Sequence, residues 1–170
     1  MTIRLRQLAA ALLFDGTRVL LMHKRGSRWQ RQTSPFYAAI GGHMEEGELN
    51  DPYAACLREI EEETGLLEQD IANLRLKYIL LRLKENEIRQ QFIYVGEVLR
   101  TDVIASEEGE LEWHELDTAM RLHSSAIHHA LLRHYRDDPD PDQVYTGTMT
   151  VGEDGSPRVQ WHLLRDPLVF

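Results

Sequence analysis

Cysteine is all but missing: Cys56 is the only one in 170 residues. That excludes an intrachain disulfide and a cluster of thiolate metal ligands. A lone cysteine here reads as a small residue tucked into a helix rather than as a nucleophile. No apolar run reaches the length of a membrane span. The N-terminal "MTIRLRQLAAALLF" has two arginines before a short apolar stretch, but it leads into "DGT", a hairpin signal and not a cleavage site. A cytoplasmic protein is expected. Positive charge is scarce too, with 19 Lys and Arg against 28 Asp and Glu, a net charge of −9. This balance argues against non-specific binding to nucleic acid or an anionic membrane. It does not exclude a small phosphorylated substrate, because a metal ion supplies positive charge locally.

What is present fits one domain with a real core: 42% apolar and 28% charged residues, with no internal repeat or low-complexity tract. "IRLRQLAAALLF" and "RVLLMHK" read as strands joined by a tight Asp-Gly turn. A short strand, "YAAI", is expected to end at Gly41-Gly42. "LRLKYILLRL" and "IRQQFIYVGEV" have strand length and β-branched or aromatic content, with "KENE" as their turn. The acidic loop "ASEEGELEWHEL" recovers into a short strand or turn around Trp113. A helix is expected from Ser124 to Arg136, with Ile127, Ala130, Leu131 and Tyr135 on one face. "DDPDPDQ" reads as a linker, and the segment from Val144 as a β-hairpin around "EDGSPR". Strands interleaved with two helices imply a mixed sheet covered by helices on its faces. The hairpin can extend the core sheet or pair with a second copy of the chain, giving a homodimer.

The most informative stretch is "DPYAACLREIEEETGL". Asp51 caps a helix, Pro52 suits its first position and Gly65 stops it. At about 100° per residue, Tyr53, Leu57, Ile60 and Thr64 share the face expected to pack on the core. Glu59, Glu62 and Glu63 share the opposite face. The helix has no lysine and one arginine, Arg58, so most of the carboxylates lack the usual cationic partners at i, i+4. Ala55 and Cys56 lie on the acidic side and are small enough for another segment to approach closely. Three carboxylates on adjacent helical corners are either a solvated face or a set of hard oxygen ligands suited to Mg²⁺, with Mn²⁺ as an alternative.

The run "GGHMEEGELNDPYAACLREIEEETGL", Gly41 to Leu66, resembles the Nudix box: a glycine, five residues, a glutamate, seven residues, then Arg-Glu-apolar-x-Glu-Glu-x-Gly-apolar. Gly42, Glu48, Arg58, Glu59, Ile60, Glu62, Glu63, Gly65 and Leu66 fill the named positions. One departure is clear: nine residues separate Glu48 from Arg58. The extra two lengthen the loop before Asp51-Pro52, which leaves the helix register intact and raises the question of whether Glu48 still reaches the site. Asn50 and Asp51 are candidates to replace it in part. Ile40 stands where many members have proline.

The resemblance implies an α/β fold, the Nudix α/β/α sandwich, over residues 1–137, with 138–170 as a C-terminal extension. It implies hydrolysis of a nucleoside diphosphate linked to another group, foremost a nucleoside triphosphate or an oxidised form of one. ADP-ribose, a nucleotide sugar, or nucleotide binding without turnover are the alternatives. Glu59, Glu62 and Glu63 would hold the metal, with a backbone carbonyl of Gly41 or Gly42, and Arg58 would brace the carboxylates. Glu62, Glu107 and Glu108 are the candidates for general base. Lys24, Arg25, Arg28 and Arg31 form a basic cluster upstream that could bind substrate phosphates, together with Gly41, Gly42 and Glu48. Trp29, Phe36 and Tyr37 are candidates for base stacking. His123, His128, His129 and His134 have no pair at i, i+4, so a helical zinc site is not expected.

Overall fold

The computed structural model describes residues 2–25 and 34–168. Arg28, Trp29 and Arg31 lie outside the described residues. The first strand, β1 (Arg4–Asp15), turns at Gly16 into β2 (Arg18–Lys24). The expected "YAAI" strand is instead two, β3 (Phe36–Ala38) and β4 (Ile40–His43), the second running through both glycines. The glycines make this path feasible. A Cβ on Gly41, whose φ is +144°, would sit 2.4 Å from the Ala10 Cα and from the Ala9 carbonyl oxygen.

Helix α1 spans Pro52–Thr64, with the Asp51 carboxylate accepting from the Ala54 amide and Gly65 closing the helix at φ 71°. These are the local signals of the sequence, and such a cap contributes about 1 kcal/mol. The long strands are β5 (Ile71–Lys84) and β6 (Glu87–Val98), followed by β7 (Gly109–Glu115). One short helical turn, α2 (Leu116–Ala119), precedes helix α3 (Ala126–Asp137), which is capped by the Ser125 hydroxyl. The C-terminal hairpin is β8 (Tyr145–Val151) and β9 (Pro157–Leu163).

The strands form one mixed sheet in the order β3-β2-β1-β6-β5-β8-β9, with β4 beside β1 and β7 beside β2. Strand β1 is parallel to β6 and antiparallel to β4. β8 runs parallel to β5, so the hairpin extends the core sheet. Side chains alternate between two cores. Ala9, Ala11 and Leu13 face α1 with Leu20, Met22 and Ile60, whereas Leu12 and Phe14 face α3 with Leu21, Leu131 and Leu132. One helix on each face gives the α/β/α sandwich.

Strand β5 breaks the alternation. Leu74 and Leu76 face the α1 core, yet Tyr78 and Leu80 face the α3 core. The register shifts between Leu76 and Tyr78, and the extra residue of a bulge moves every later side chain to the other face. This bulge places Arg82 on the α3 face.

Candidate active site

Helix α1 is not oriented as the hydrophobic pattern alone suggests. Tyr53 is 37% exposed and Leu57 half-buried, while Ala55, Cys56, Glu59, Ile60, Glu63 and Thr64 are buried. Two of the three glutamates therefore pack on the sheet. The small side chains allow this, with the Cys56 Sγ donating to the Ala10 carbonyl at 3.7 Å. Burial pushes the Cys56 thiol well up, which makes it inert. Gly42 allows it too, because a Cβ there would lie 2.6 Å from Glu59 Oε2.

Arg58 organises one side of the site. Its Nε donates to Glu48 Oε1 at 2.6 Å and its Nη2 to Glu48 Oε2 at 2.9 Å. Its Nη1 donates to Glu59 Oε1 at 2.9 Å and to Glu62 Oε2 at 3.0 Å. Its Nη2 also donates to the His43 carbonyl at 3.1 Å. The two extra residues before the helix thus do not detach Glu48, and Asp51 is occupied as the cap. The Arg58 hydrogen bonds hold the Glu48 carboxyl below its usual range. Burial raises the Glu59 carboxyl despite Arg58.

Glu63 belongs to a second set of contacts. Its Oε2 accepts from the Gly41 amide at 2.7 Å and its Oε1 from Lys24 Nζ at 3.5 Å. Burial drives its pKa up to about 7, against the opposing pull of Lys24 and the Gly41 amide. Lys24 also donates to Glu108 at 2.9 Å, which ties the acidic loop to the box across a long separation in sequence. Burial alone would lower the Lys24 ammonium, but Glu108 and Glu63 outweigh it and raise it. The Lys24 hydrogen bond lowers Glu108. Glu107 is exposed, and Arg25 turns outward to pair with Glu110.

The donor set suits a hard divalent cation, since it consists of carboxylate oxygens with a glycine-lined space beside Glu59. The carboxylates are held apart by Arg58 and Lys24. Among the described residues, the oxygens of Glu59, Glu62 and Glu63 do not all lie within 4.8 Å of one another, since Glu59 and Glu62 share Arg58 Nη1 while Glu63 is held by the Gly41 amide and Lys24. Among the described residues, His23, Glu110 and Glu112 have ligand atoms within 4.8 Å of one another. None of the three belongs to the box, and the Tyr37 hydroxyl donates to Glu112 at 3.1 Å. The motif reading missed it, although "GELEWHE" carries the signal: Glu110, Glu112 and His114 alternate on one face of a strand. Of the α3 histidines, His129 bonds the Leu122 carbonyl, His134 the Tyr78 hydroxyl, and His128 is buried.

A cavity of about 230 Å³ adjoins the box, with Lys24, Gly41 and Gly42 on one side and Tyr37, Gln91 and His128 among its other walls. Phe36 also lines it. Tyr37 stacks on His23 at 4.6 Å.

The NUDIX domain model matches residues 4–135. A search of curated proteins gave no significant match. Among solved structures, the MutT protein from Bacillus halodurans superposes with a TM-score of 0.66 at 24% identity, covering 95% of this chain and 99% of that one. A NUDIX hydrolase from Nitrosomonas europaea gives 0.68 at 14% identity, covering 87% and 80%. A C. elegans Ap4A hydrolase gives 0.63 at 19% identity, covering 78% and 96%. With the family model matching most of its length and the box carboxylates gathered at the glycine strand, the chain belongs to the Nudix family of pyrophosphohydrolases.

Proposed function

We propose that the protein hydrolyses a nucleoside diphosphate linked to another moiety, foremost a nucleoside triphosphate or its oxidised form, with Mg²⁺ or Mn²⁺. The observation that carries this reading is the contact set of Glu63, which meets the Gly41 amide and Lys24 beside a cavity of about 230 Å³. That volume suits a nucleobase rather than a whole nucleotide.

Glu59, Glu62 and Glu63, with a carbonyl of Gly41 or Gly42, would hold the cation. The cation neutralises phosphate charge and lowers the pKa of bound water. Lys24 is suited to bind a phosphate oxygen while its link to Glu108 keeps that carboxylate near the reacting phosphorus. Arg58 positions Glu48, Glu59 and Glu62. The proton of the attacking water goes to Glu62 or Glu108. Arg25 would bind phosphate only by leaving Glu110, and Arg28 is proposed beside it from the sequence alone. A cytoplasmic location, where nucleotides are abundant, belongs to the same proposal.

The test is a panel of nucleoside triphosphates and diphosphate derivatives incubated with Mg²⁺ or Mn²⁺, with products identified by mass spectrometry. At least one substrate should give a nucleoside monophosphate. Glu62→Gln or Glu63→Gln should lower the rate roughly a hundredfold or more. No cleavage with either ion contradicts the proposal.

A further inference from the structure

A second charge concentration lies across the sheet, and it has the opposite sign. Arg6 on β1 is in register with Arg89 on β6, and Arg89 with Arg82 on β5. Residues in register share a face, so three guanidinium groups stand in one row across three neighbouring strands. The next row outward is Arg4, Glu87 and Lys84. Five cations thus surround one carboxylate in a chain whose net charge is −9.

Glu87 is shared, accepting from Arg6 at 3.1 Å and from Arg89 at 2.8 Å. Arg82 feels the charge of Glu87 but makes no hydrogen bond to it: its Nε is buried without a hydrogen-bond partner among the described residues. Burial and the neighbouring charge of Arg89 lower its pKa, outweighing the opposing pull of Glu87. Like charges directly opposite on adjacent strands are destabilising, and a buried donor without a partner adds to that cost. Glu87 offsets part of the repulsion, but among the described residues nothing accepts from Arg82 Nε.

The position of the row gives it meaning. The row inward is Leu8, Gln91 and Leu80, and all three line the cavity beside the box. The arginines therefore begin about 7 Å further along the strands. Arg6 also reaches His43, at 3.1 Å, in the strand that carries Gly41 and Gly42. Arg4, Arg6, His43 and Glu87 line an open depression of about 460 Å³. The row of arginines thus stands just beyond one wall of a base-sized cavity that has Lys24 and the glycine strand in its lining.

We infer that Arg6, Arg82 and Arg89 form an anion site for a second phosphate of the same ligand, remote from the anhydride that is cleaved. The ligand class is a nucleotide phosphorylated at two separate positions. Guanidinium groups suit this task because each presents several donors in a fixed plane, matched to phosphate oxygens. The anion would supply Arg82 Nε with an acceptor and relieve repulsion along the row. The identity of the ligand rests on the proposed nucleotide hydrolysis, whereas the anion site does not.

Binding of adenosine 3′,5′-bisphosphate and of adenosine 5′-monophosphate should be compared by calorimetry in EDTA, so that turnover plays no part. The bisphosphate is expected to bind roughly tenfold or more tightly than the monophosphate. Arg82→Gln and Arg89→Gln should each erase most of that preference and leave the monophosphate affinity unchanged. Their melting temperatures should match or exceed the wild type, which shows that the fold is intact. Equal binding of the two nucleotides overturns the inference, as does a preference that survives both substitutions. Inorganic pyrophosphate binding to the row without any preference for the bisphosphate overturns the two-phosphate ligand class. Absence of hydrolysis would defeat the proposed function alone and leave this result standing.

Discussion

Arg58 grips Glu48 with two nitrogens, at 2.6 and 2.9 Å, across a connection two residues longer than the family pattern. The extra length is taken up by residues 49–51, between the 3-10 turn at Glu46–Glu48 and the helix, and Asp51 still caps the helix. Arg58 also holds Glu59 and Glu62, so a single cation keeps three carboxylates assembled.

Arg58→Ala should therefore do more harm than an exposed ion pair would. Glu59 is mostly buried, and leaving it unpaired should cost about 1–3 kcal/mol in urea unfolding. Metal affinity should fall as well, because the carboxylates lose their orientation. A variant as stable as wild type with unchanged Mg²⁺ affinity would remove Arg58 from this role. Arg58→Lys should retain charge but lose the two-point grip.

Gly42→Ala tests the cradle. The added Cβ would meet Glu59 Oε2 at 2.6 Å and push the carboxylate from its seat. Since Gly42 needs no left-handed backbone, the fold should survive. Metal titration should show roughly tenfold weaker binding or worse. Unaltered affinity would mean that Glu59 does not act from this position.

His128 gives the pH dependence a definite sign. Burial lowers its pKa to about 4 from an ordinary value near 6.5. The unfolded state binds the proton first, so stability is full above about pH 6.5, is lost as pH falls and levels off below about pH 4. The loss is about 3 kcal/mol. Denaturant melts from pH 7 to 4.5 should therefore be steeper for wild type than for His128→Leu. Parallel profiles would show that His128 is not buried neutral.

The hairpin matters for stability as well as for sheet order. Trp161 packs 4.6 Å from His134 and 5.1 Å from Tyr78, covering the outer end of the α3 core. Trp161→Ala should cost about 2–4 kcal/mol in chemical denaturation. A loss near zero would mean that the hairpin is a loose appendage.

The sequence shows α1 almost residue for residue, because its cap, first-turn proline and terminal glycine act locally. It misleads about which face is buried. Hydrophobic pattern sends Tyr53 inward and Glu63 outward, whereas Glu63 is 2% exposed. The reason is distant in sequence: the Gly41 amide and Lys24 receive that carboxylate. The β5 bulge is equally hidden, since "LRLKYILLRL" alternates acceptably in either register. Without it Arg82 would face the other side of the sheet. The link from Lys24 to Glu108 depends on the pairing of β2 with β7, which no local signal announces.

The most direct measurement is anomalous scattering from a crystal soaked in Mn²⁺ with a non-hydrolysable nucleotide. The account predicts a peak between Glu59, Glu62 and Glu63 beside the glycine strand. Its contradiction would be a map with no peak there, or with manganese bound only at His23, Glu110 and Glu112.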